Sequence, residues 1–417
     1  MTGGDPQSGA EAPLRILVIH RYYWPDTPPC ASLMRWIAAH LQENGHEVEV
    51  LSSQPSYRPG TEKQQRPRVD YVDGVRVDRL RLPNEVGRPL TRIRNALRIG
   101  IGIVRRALTR RYDVILVTSI PPVLGGFFAA LAARLTRTRM IYYCMDLHPE
   151  IGRVSGDFAN PVLYRVLQAL DSWSCRQASP VLVHSEDMRQ TLRERPRGEE
   201  PRIEILNNFA LPSRDSGATE LELDTEGNRL TVIYAGNVGR FQGLETAVDA
   251  MAQLREHRDI ELIIMGDGVA REGLVERAQQ SGANVRFMPY QPVEVAKSAI
   301  RQADIGLVTL IPGIYRYAYP SKTMAYLEQG RPIIAAVEPE SELATTMEER
   351  GYGLAVPTGD VRAMAERFVE LANDSKWKAP MNKAAQEAFD AEFSAPVVLN
   401  RWSRVLRTGY PDERGGQ

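Results

Sequence analysis

The chain has 417 residues, too long for a single core and suited to two domains. Its apolar fraction of 43 % and charged fraction of 25 % are ordinary for a globular protein, and Lys plus Arg equals Asp plus Glu at 52 each, so no overall field draws it to nucleic acid. Cys30, Cys144 and Cys175 lie too far apart for a disulfide framework or a zinc spacing, the first residues carry no apolar signal segment, and no apolar run is long enough to span a membrane; a cytoplasmic protein is expected.

From Leu14 the pattern is strand, turn, helix, repeated. "LRILVIH" reads as a strand, and apolar residues at Leu33, Ile37 and Leu41 keep helical spacing until Gly45 stops the helix. "VEVLSS", "VRVDRLRL", "DVILVTS", "MIYYCMD", "PVLVHS" and "RIEILNN" are further strands, several separated by helical stretches. Apolar strands alternating with helices predict a parallel sheet covered on both faces over residues 14–209. Residues 210–229 are polar and rich in turn formers and read as a linker. The alternation then restarts with "LTVIYAGN", "IELIIMGDG", "NVRFMPY", "ADIGLVTL", "RPIIAAV" and "GLAVP", a second doubly wound α/β domain over 230–376. The tail, 377–417, is mostly helical; Phe389, Phe393, Val397, Leu399, Trp402 and Leu406 are apolar anchors that would let it pack back on the first domain.

Two such domains leave a cleft between the C-terminal edges of their strands, where open α/β sheets bind ligands. In the second half, "YAGNVGRFQGLET" offers Gly236, Asn237, Gly239 and Arg240, with a helix beginning near Gln242; "MGDG" adds Gly266, and "FMPYQP" adds the Tyr290 ring for a flat base. Each Gly-rich loop alone also reads as an ordinary tight turn. In "YPSKTMAYLEQG", Pro320 sets a first helical turn, and Ser321 and Lys322 bring a hydroxyl and an ammonium to the same edge. Two cations converging on one edge favour a phosphate over a plain cap and a solvated lysine.

"NGHEVEVLSS", "AGNVGRFQGLETAVDAM", "IELIIMGDGVAREGLVERA" and "YPSKTMAYLEQGRPIIAAV", together with "MDLHPEIG", resemble the family 4 (GT4) glycosyltransferases, in particular the branch that builds bacterial surface polysaccharides. The likeness runs over residues 14–408. It implies the GT-B fold, a nucleotide-sugar donor on the C-terminal domain, an acceptor on the N-terminal one, retention at the anomeric carbon, and neither a metal nor a separate cofactor. By the same resemblance Arg240 matches the arginine that grips the donor diphosphate, and Gln242 stands where a lysine is usual, so Lys322 is expected to supply the second charge. The two glutamates of the wider family fall at Tyr317 and Ala325 and are absent. Glu328, nearly one turn beyond Ala325, is either a displaced ribose ligand or a solvated helix-end acid.

For the acceptor, the first loop holds Tyr22, Trp24 and Asp26, aromatic faces beside a carboxylate, although aromatics in loops also pack as rims. Asp146 ends "YYCMD" and is expected to face the reacting centre, or to cap the helix that follows; His148 is a second candidate there. No histidine follows "DVILVTS", where many relatives of this type have one. Residues 88–111 carry eight arginines and no acid, with Leu90, Ile93, Leu97, Ile101, Val104 and Leu108 at helical spacing; this reads as a face for the cytoplasmic membrane surface, or as an α/β helix with a basic exterior. A lipid-linked saccharide acceptor accords with the former. Rival readings are a catalytically silent sugar-nucleotide-binding partner, which the absent glutamates favour, and a sugar-nucleotide epimerase, which they disfavour.

Overall fold

The computed structural model describes residues 12–26, 28–56, 65–85, 87–195, 198–212, 221–225, 227 and 229–408. The first residues, half of the linker (213–220, 226 and 228) and the end of the tail (409–417) lie outside the described residues.

The strands of the N-terminal half are β1 (Arg15–Ile19), β2 (Glu47–Ser53), β3 (Val69–Val72), β4 (Val75–Leu80), β5 (Val114–Thr118), β6 (Arg139–Tyr143), β7 (Val181–Val183) and β8 (Ile203–Ile205). They form one sheet in the order β3-β4-β2-β1-β5-β6-β7-β8. All neighbours are parallel except β3 and β4. β3 was not expected: it is a half-polar edge strand, VDYV, that pairs antiparallel through the Asp73-Gly74 turn, and it lacks the apolar run that marks the buried strands. The C-terminal half holds β9 (Leu230–Ala235), β10 (Ile260–Met265), β11 (Val285–Met288), β12 (Ile305–Thr309), β13 (Ile333–Ala336) and β14 (Gly353–Val356), all parallel, in the order β11-β10-β9-β12-β13-β14.

Central strands such as β1 and β5 are buried along nearly their whole length, which is why they read as unbroken apolar runs. One face of the first sheet is covered by Leu33, Met34, Ile37 and Leu41 of the helix Pro29–Glu43 and by Val398, Leu399, Trp402 and Leu406 of the last helix, Ala395–Arg407. The opposite face carries Ile99, Ile103 and Ala107 of Pro89–Thr109, with Ala129 and Ala133 of Leu124–Thr136. The tail therefore divides its anchors. Phe393 sits in the core of the C-terminal domain, whereas Leu399, Trp402 and Leu406 complete the N-terminal one; Val398, rather than Val397, is the buried residue of the adjacent pair. Arg139 of β6 fixes the end of the tail helix by donating to the carbonyls of Leu406 and Val405, both at 2.6 Å.

The chain crosses between domains twice, and the crossings lie side by side: the Ala210 amide donates to the Phe393 carbonyl at 3.1 Å. A second contact is made by helices Glu186–Arg193 and Glu342–Glu349, which meet N-terminus to N-terminus and cap one another. Glu342 accepts from the Glu186 amide, and Asp187 accepts from the Glu342 amide at 2.9 Å. Thr191 donates to the Arg316 carbonyl at 2.9 Å beside them.

Candidate active site

The two domains touch where their strands end. Asp146, just past β6, forms an antiparallel bridge with Ala318, and the Leu147 amide donates to the Tyr317 carbonyl at 2.8 Å. Ala318 lies four residues before Lys322 in the chain, so this bridge brings the acid of one domain and the lysine of the other to the same boundary.

Lys322 opens the helix Lys322–Glu328 and reaches into the first glycine loop. Its ammonium lies 4.7 Å from the centre of the Tyr234 ring, and no ion pair with an acid is found for it among the described residues. Burial without an acid brings its pKa down to about 8. Gly236 makes room for it. At φ +146°, a methyl group on Gly236 would lie 2.6 Å from the lysine Cε. Gly266 serves the same loop from the next strand: a methyl there would lie 1.9 Å from the Gly236 carbonyl oxygen. The two loops are laced through backbone, with Gly236 donating to Met265 and Val238 to Asp267, both at 2.9 Å. Gly266 is thus the spacer that lets the loops nest.

Other donor-side residues line the same edge. Asn237 accepts from the Tyr234 hydroxyl through its carbonyl at 2.5 Å. Gly239 lies against the side chains of Asn237 and Gln242. Arg240 is exposed and makes no ion pair among the described residues. The Ser321 hydroxyl is not used in capping its helix, and Pro320 accepts from the Thr323 amide at 3.1 Å. Tyr290 is exposed, and its amide donates to Asp267 at 3.3 Å. The helix after the first loop starts at Glu245, three residues later than Gln242, because Gly243 turns through φ +58° against the Leu310 carbonyl. Gln242 itself was passed over in the sequence as the loss of a lysine. Its Oε1 is buried without a hydrogen-bond partner in this loop, an orphan acceptor that only the fold reveals.

Glu328 corrects the expectation of a displaced ribose ligand. Its carboxylate is held at 2.6 Å by Lys297, a buried lysine of the helix Val293–Gln302 that also donates to the Leu211 carbonyl. The acid is not a solvated helix-end group, and it is engaged by a buried cation rather than left open toward a ribose. Ala325, at the family's acidic position, packs against the domain core.

On the N-terminal side, burial pushes the Asp146 carboxyl up to about 6, and its amide donates to the Ser119 hydroxyl oxygen at 3.3 Å. His148 lies beyond it with Nδ1 buried and unpartnered, and burial lowers its pKa to about 4. The segment is held from behind. Arg195 donates to the His148 carbonyl at 2.7 Å, to both oxygens of Glu150 at 2.9 and 2.7 Å, and to Asp171 at 2.6 Å.

The expected sugar platform in the first loop is corrected as well. Two guanidinium groups, of Arg35 and Arg66, lie 4.6 and 4.8 Å from the Trp24 ring centre, and Arg79 binds the Trp24 carbonyl. Asp26 is buried and accepts from the Ser56 amide at 3.0 Å. Both residues build the loop. Tyr22, half-buried under the Arg21 guanidinium at 5.0 Å, is nearer the surface. Sequence reading also missed His20, which ends β1. Its Nδ1 lies 2.7 Å from the Thr118 hydroxyl at the end of β5, while Nε2 is buried without a partner. The imidazole absent after β5 is matched by one reaching that strand end from the neighbouring strand.

The helix Pro89–Thr109 has two apolar faces. Ala96, Ile99, Ile103 and Ala107 pack on the sheet, whereas Leu90, Ile93, Leu97, Ile101 and Leu108 are exposed, Leu90 by 81 %. Not all its arginines are free: Arg106 and Arg110 pair inward with Glu49, and Arg92 lies 3.6 Å from Asp157. Among the described residues, no helix is long and apolar enough to cross a membrane.

Comparison with known proteins agrees with this architecture. Residues 30–208 match the Glycosyl transferase 4-like domain and residues 229–374 match Glycosyl transferases group 1, one on each half. The chain belongs to the GT4-type glycosyltransferases. It is 26 % identical to the probable glycosyltransferase WbjE of Pseudomonas aeruginosa, over 77 % of this chain and 80 % of that one. It is 24 % identical to the putative colanic acid biosynthesis glycosyl transferase WcaI of Escherichia coli K12, over 96 % of this chain and all of that one. Sucrose-phosphate synthase of Thermosynechococcus elongatus shares the GT-B fold, with a TM-score of 0.72 at 17 % identity over 95 % of this chain and 98 % of that one. Anabaena HepE, in complex with UDP and glucose, gives a TM-score of 0.68 at 16 % identity, over 95 % of this chain and all of that one.

Proposed function

We propose that this glycosyltransferase moves a sugar, with retention of anomeric configuration, from a nucleotide-sugar donor to a lipid-linked saccharide acceptor during surface-polysaccharide assembly. The observation that carries this reading is the juxtaposition of Asp146 and Lys322 through the Asp146–Ala318 bridge, beside a glycine loop shaped around the lysine. A partly desolvated ammonium with no acid to neutralise it suits a diphosphate, and Arg240 on the same edge adds a second cation. The complex of HepE with UDP and glucose supports a nucleotide sugar on this fold.

The chemistry follows from these groups. The bond from the anomeric carbon to the diphosphate oxygen breaks, and the bond to the acceptor hydroxyl oxygen forms on the same face. The acceptor proton passes to the departing phosphate oxygen. Lys322 and Arg240 stabilise the charge that develops on that oxygen, and Asp146, ionised above about pH 6, accepts from and orients the acceptor hydroxyl. The step so written draws on the chain's own cations and needs no separate cofactor. The two-faced helix Pro89–Thr109, with Arg94, Arg98 and Arg105 outward, would rest on the cytoplasmic membrane surface beside a lipid-borne acceptor.

One observation favours a second reading, a silent nucleotide-sugar-binding partner: Ala325 and Tyr317 replace both family acids, and Glu328 is committed to Lys297. The discriminating experiment has two parts. A thermal-shift panel of UDP-, GDP-, dTDP- and CMP-sugars identifies the donor. Transfer of its labelled sugar to a lipid-linked acceptor is then followed. Turnover supports the enzyme; a stabilising donor with no turnover supports the silent partner.

A further inference from the structure

Beyond the cleft, a groove of about 480 Å³ opens on the N-terminal domain between the short helix Glu150–Val154 and the helix Pro161–Gln177. Arg153, Tyr164, Arg165 and Gln168 line it. The Arg153 guanidinium lies 4.9 Å from the Tyr164 ring centre. Neither Arg153 nor Arg165 pairs with an acid among the described residues, and both are exposed. The floor is rigid and polar: the Gln168 amide donates to Glu150 at 3.0 Å and to the Tyr164 hydroxyl at 3.1 Å. Glu150 is the acid that Arg195 ties to the His148 carbonyl. The groove is thus built on the same network that holds the Asp146–His148 segment.

The same two helices are unusual for a surface exposed to water alone. Outside the lining residues, Val154 of the first and Val162 and Val166 of the second are exposed, Val162 by 70 %. The link from Arg92 to Asp157 joins this region to the start of Pro89–Thr109 with its own exposed apolar row. Unpaired arginines set among exposed aliphatic side chains match a ligand with an anionic head and a hydrocarbon chain. A nucleic acid would not use the exposed aliphatic residues beside the groove, and an apolar peptide would leave the arginines unmatched.

We propose that this groove binds the phosphate or diphosphate head of a lipid, with Arg153 and Arg165 as the anion ligands and the exposed Val154, Val162 and Val166 of the flanking helices against the hydrocarbon. The proposal rests on the reading of the acceptor as lipid-linked and names where that lipid is held. Its place beside the His148 segment sets a saccharide carried on such a head toward the Asp146–Lys322 boundary.

The test measures binding of the full chain to phosphatidylcholine vesicles doped with a polyprenyl diphosphate, against vesicles carrying phosphatidylglycerol at matched charge. The expected result is a preference for the polyprenyl diphosphate of about tenfold, the scale of a pair of charge-assisted contacts. The double substitution Arg153→Ala with Arg165→Ala should bring that preference to within about twofold, leaving phosphatidylglycerol binding in place. The double Lys substitution, which keeps the charge and loses the planar fork, should recover only part of it. Both arginines are exposed, so equal melting temperatures are expected and serve as the folding check. Equal binding to both vesicle types overturns the proposal, as does a double Ala protein that keeps the preference. Inorganic pyrophosphate bound as tightly as the doped vesicles would assign the groove to a soluble anion and also overturn it. Because vesicle preference is read without any transfer, its failure is distinguishable from absence of glycosyl transfer.

Discussion

The two sides of the cleft spend their charges in opposite ways. On the C-terminal side, Lys322 and Arg240 carry positive charge with no acid against them among the described residues, and the loops around Lys322 are shaped by glycines. On the N-terminal side most of the charged and aromatic groups are already engaged, Trp24 under Arg35 and Arg66, Asp26 on Ser56, Glu150 and Asp171 on Arg195. The neutral rings of His20 and His148 each keep one buried nitrogen without a partner. The first arrangement is incomplete without an anion. The second is a finished scaffold that leaves Asp146 at its rim. One side therefore holds its ligand by charge, and the other must hold its own by shape and by a few oriented groups.

The sharpest way to break this contrast is to close the space on the charged side. Gly266→Ala would place a methyl group 1.9 Å from the Gly236 carbonyl in a backbone conformation that side chains rarely adopt. We expect a loss of roughly 3 kcal/mol or more in denaturant unfolding, with donor binding abolished. Unchanged stability would show that the loops do not nest as described.

Asp146→Asn tests the scaffold side. Transfer should fall about 100-fold, the usual scale for a positioned carboxylate, and the acid limb of the wild-type rate, near pH 6, should vanish. Stability should move the other way. The folded-state pKa is raised from 3.8, so ionising the group costs stability as pH rises through about 6. The Asn protein should melt above wild type at pH 8, with the gap closing as pH falls from about 6 to below 3.8. A wild-type rate would remove Asp146 from the site.

Lys322→Ala should weaken nucleotide-sugar binding by about 1.5–3 kcal/mol, measured by calorimetry, and exposed Arg240→Ala by less. Wild-type affinity for the donor should also decline as pH rises past about 8, where free Lys322 loses its proton. If the lysine substitution leaves affinity within twofold, the diphosphate is held elsewhere.

The smallest effect is expected at Glu328. Glu328→Gln should cost about 1–2 kcal/mol of stability, since the charged bond from Lys297 to Glu328 is lost, while the donor Michaelis constant stays unchanged. A raised Michaelis constant at unchanged stability would restore the acid to the ribose.

These expectations also show what a linear sequence discloses. The parallel strands were legible because burial on both faces leaves runs such as ILVI and VILVT. Lys322 and Gly236 were legible as an edge, since loops after parallel strands share one end of the sheet. The partner of Glu328 was not, because Lys297 sits 31 residues away on another helix, in a stretch that reads as amphipathic surface. Nor was the masking of Trp24, which depends on arginines brought from 35 and 66 by unrelated elements. In Pro89–Thr109 the periodicity was right, but the row it picked out was the exposed one. A second row, Ala96, Ile99, Ile103 and Ala107, with smaller side chains, faces the sheet. Periodicity reports that a face is apolar; it does not report which of two faces meets the core.

The tail helix has a consequence for how the molecule is made. Trp402 is fully buried beneath the first sheet, edge-on to Tyr143 at 5.0 Å, with Leu399 and Leu406 in the same core. A chain leaving the ribosome can pair all the strands of its N-terminal domain while that core still lacks a wall, because residues 395–407 emerge only after the strands of the second domain. The second domain takes Ala385, Ala388 and Phe393 into its own core from the residues just before that helix, so it can close ahead of the N-terminal domain although it is synthesised later. Of the two, the domain translated earlier is thus sealed later, and until then its uncovered apolar face is what a chaperone would meet.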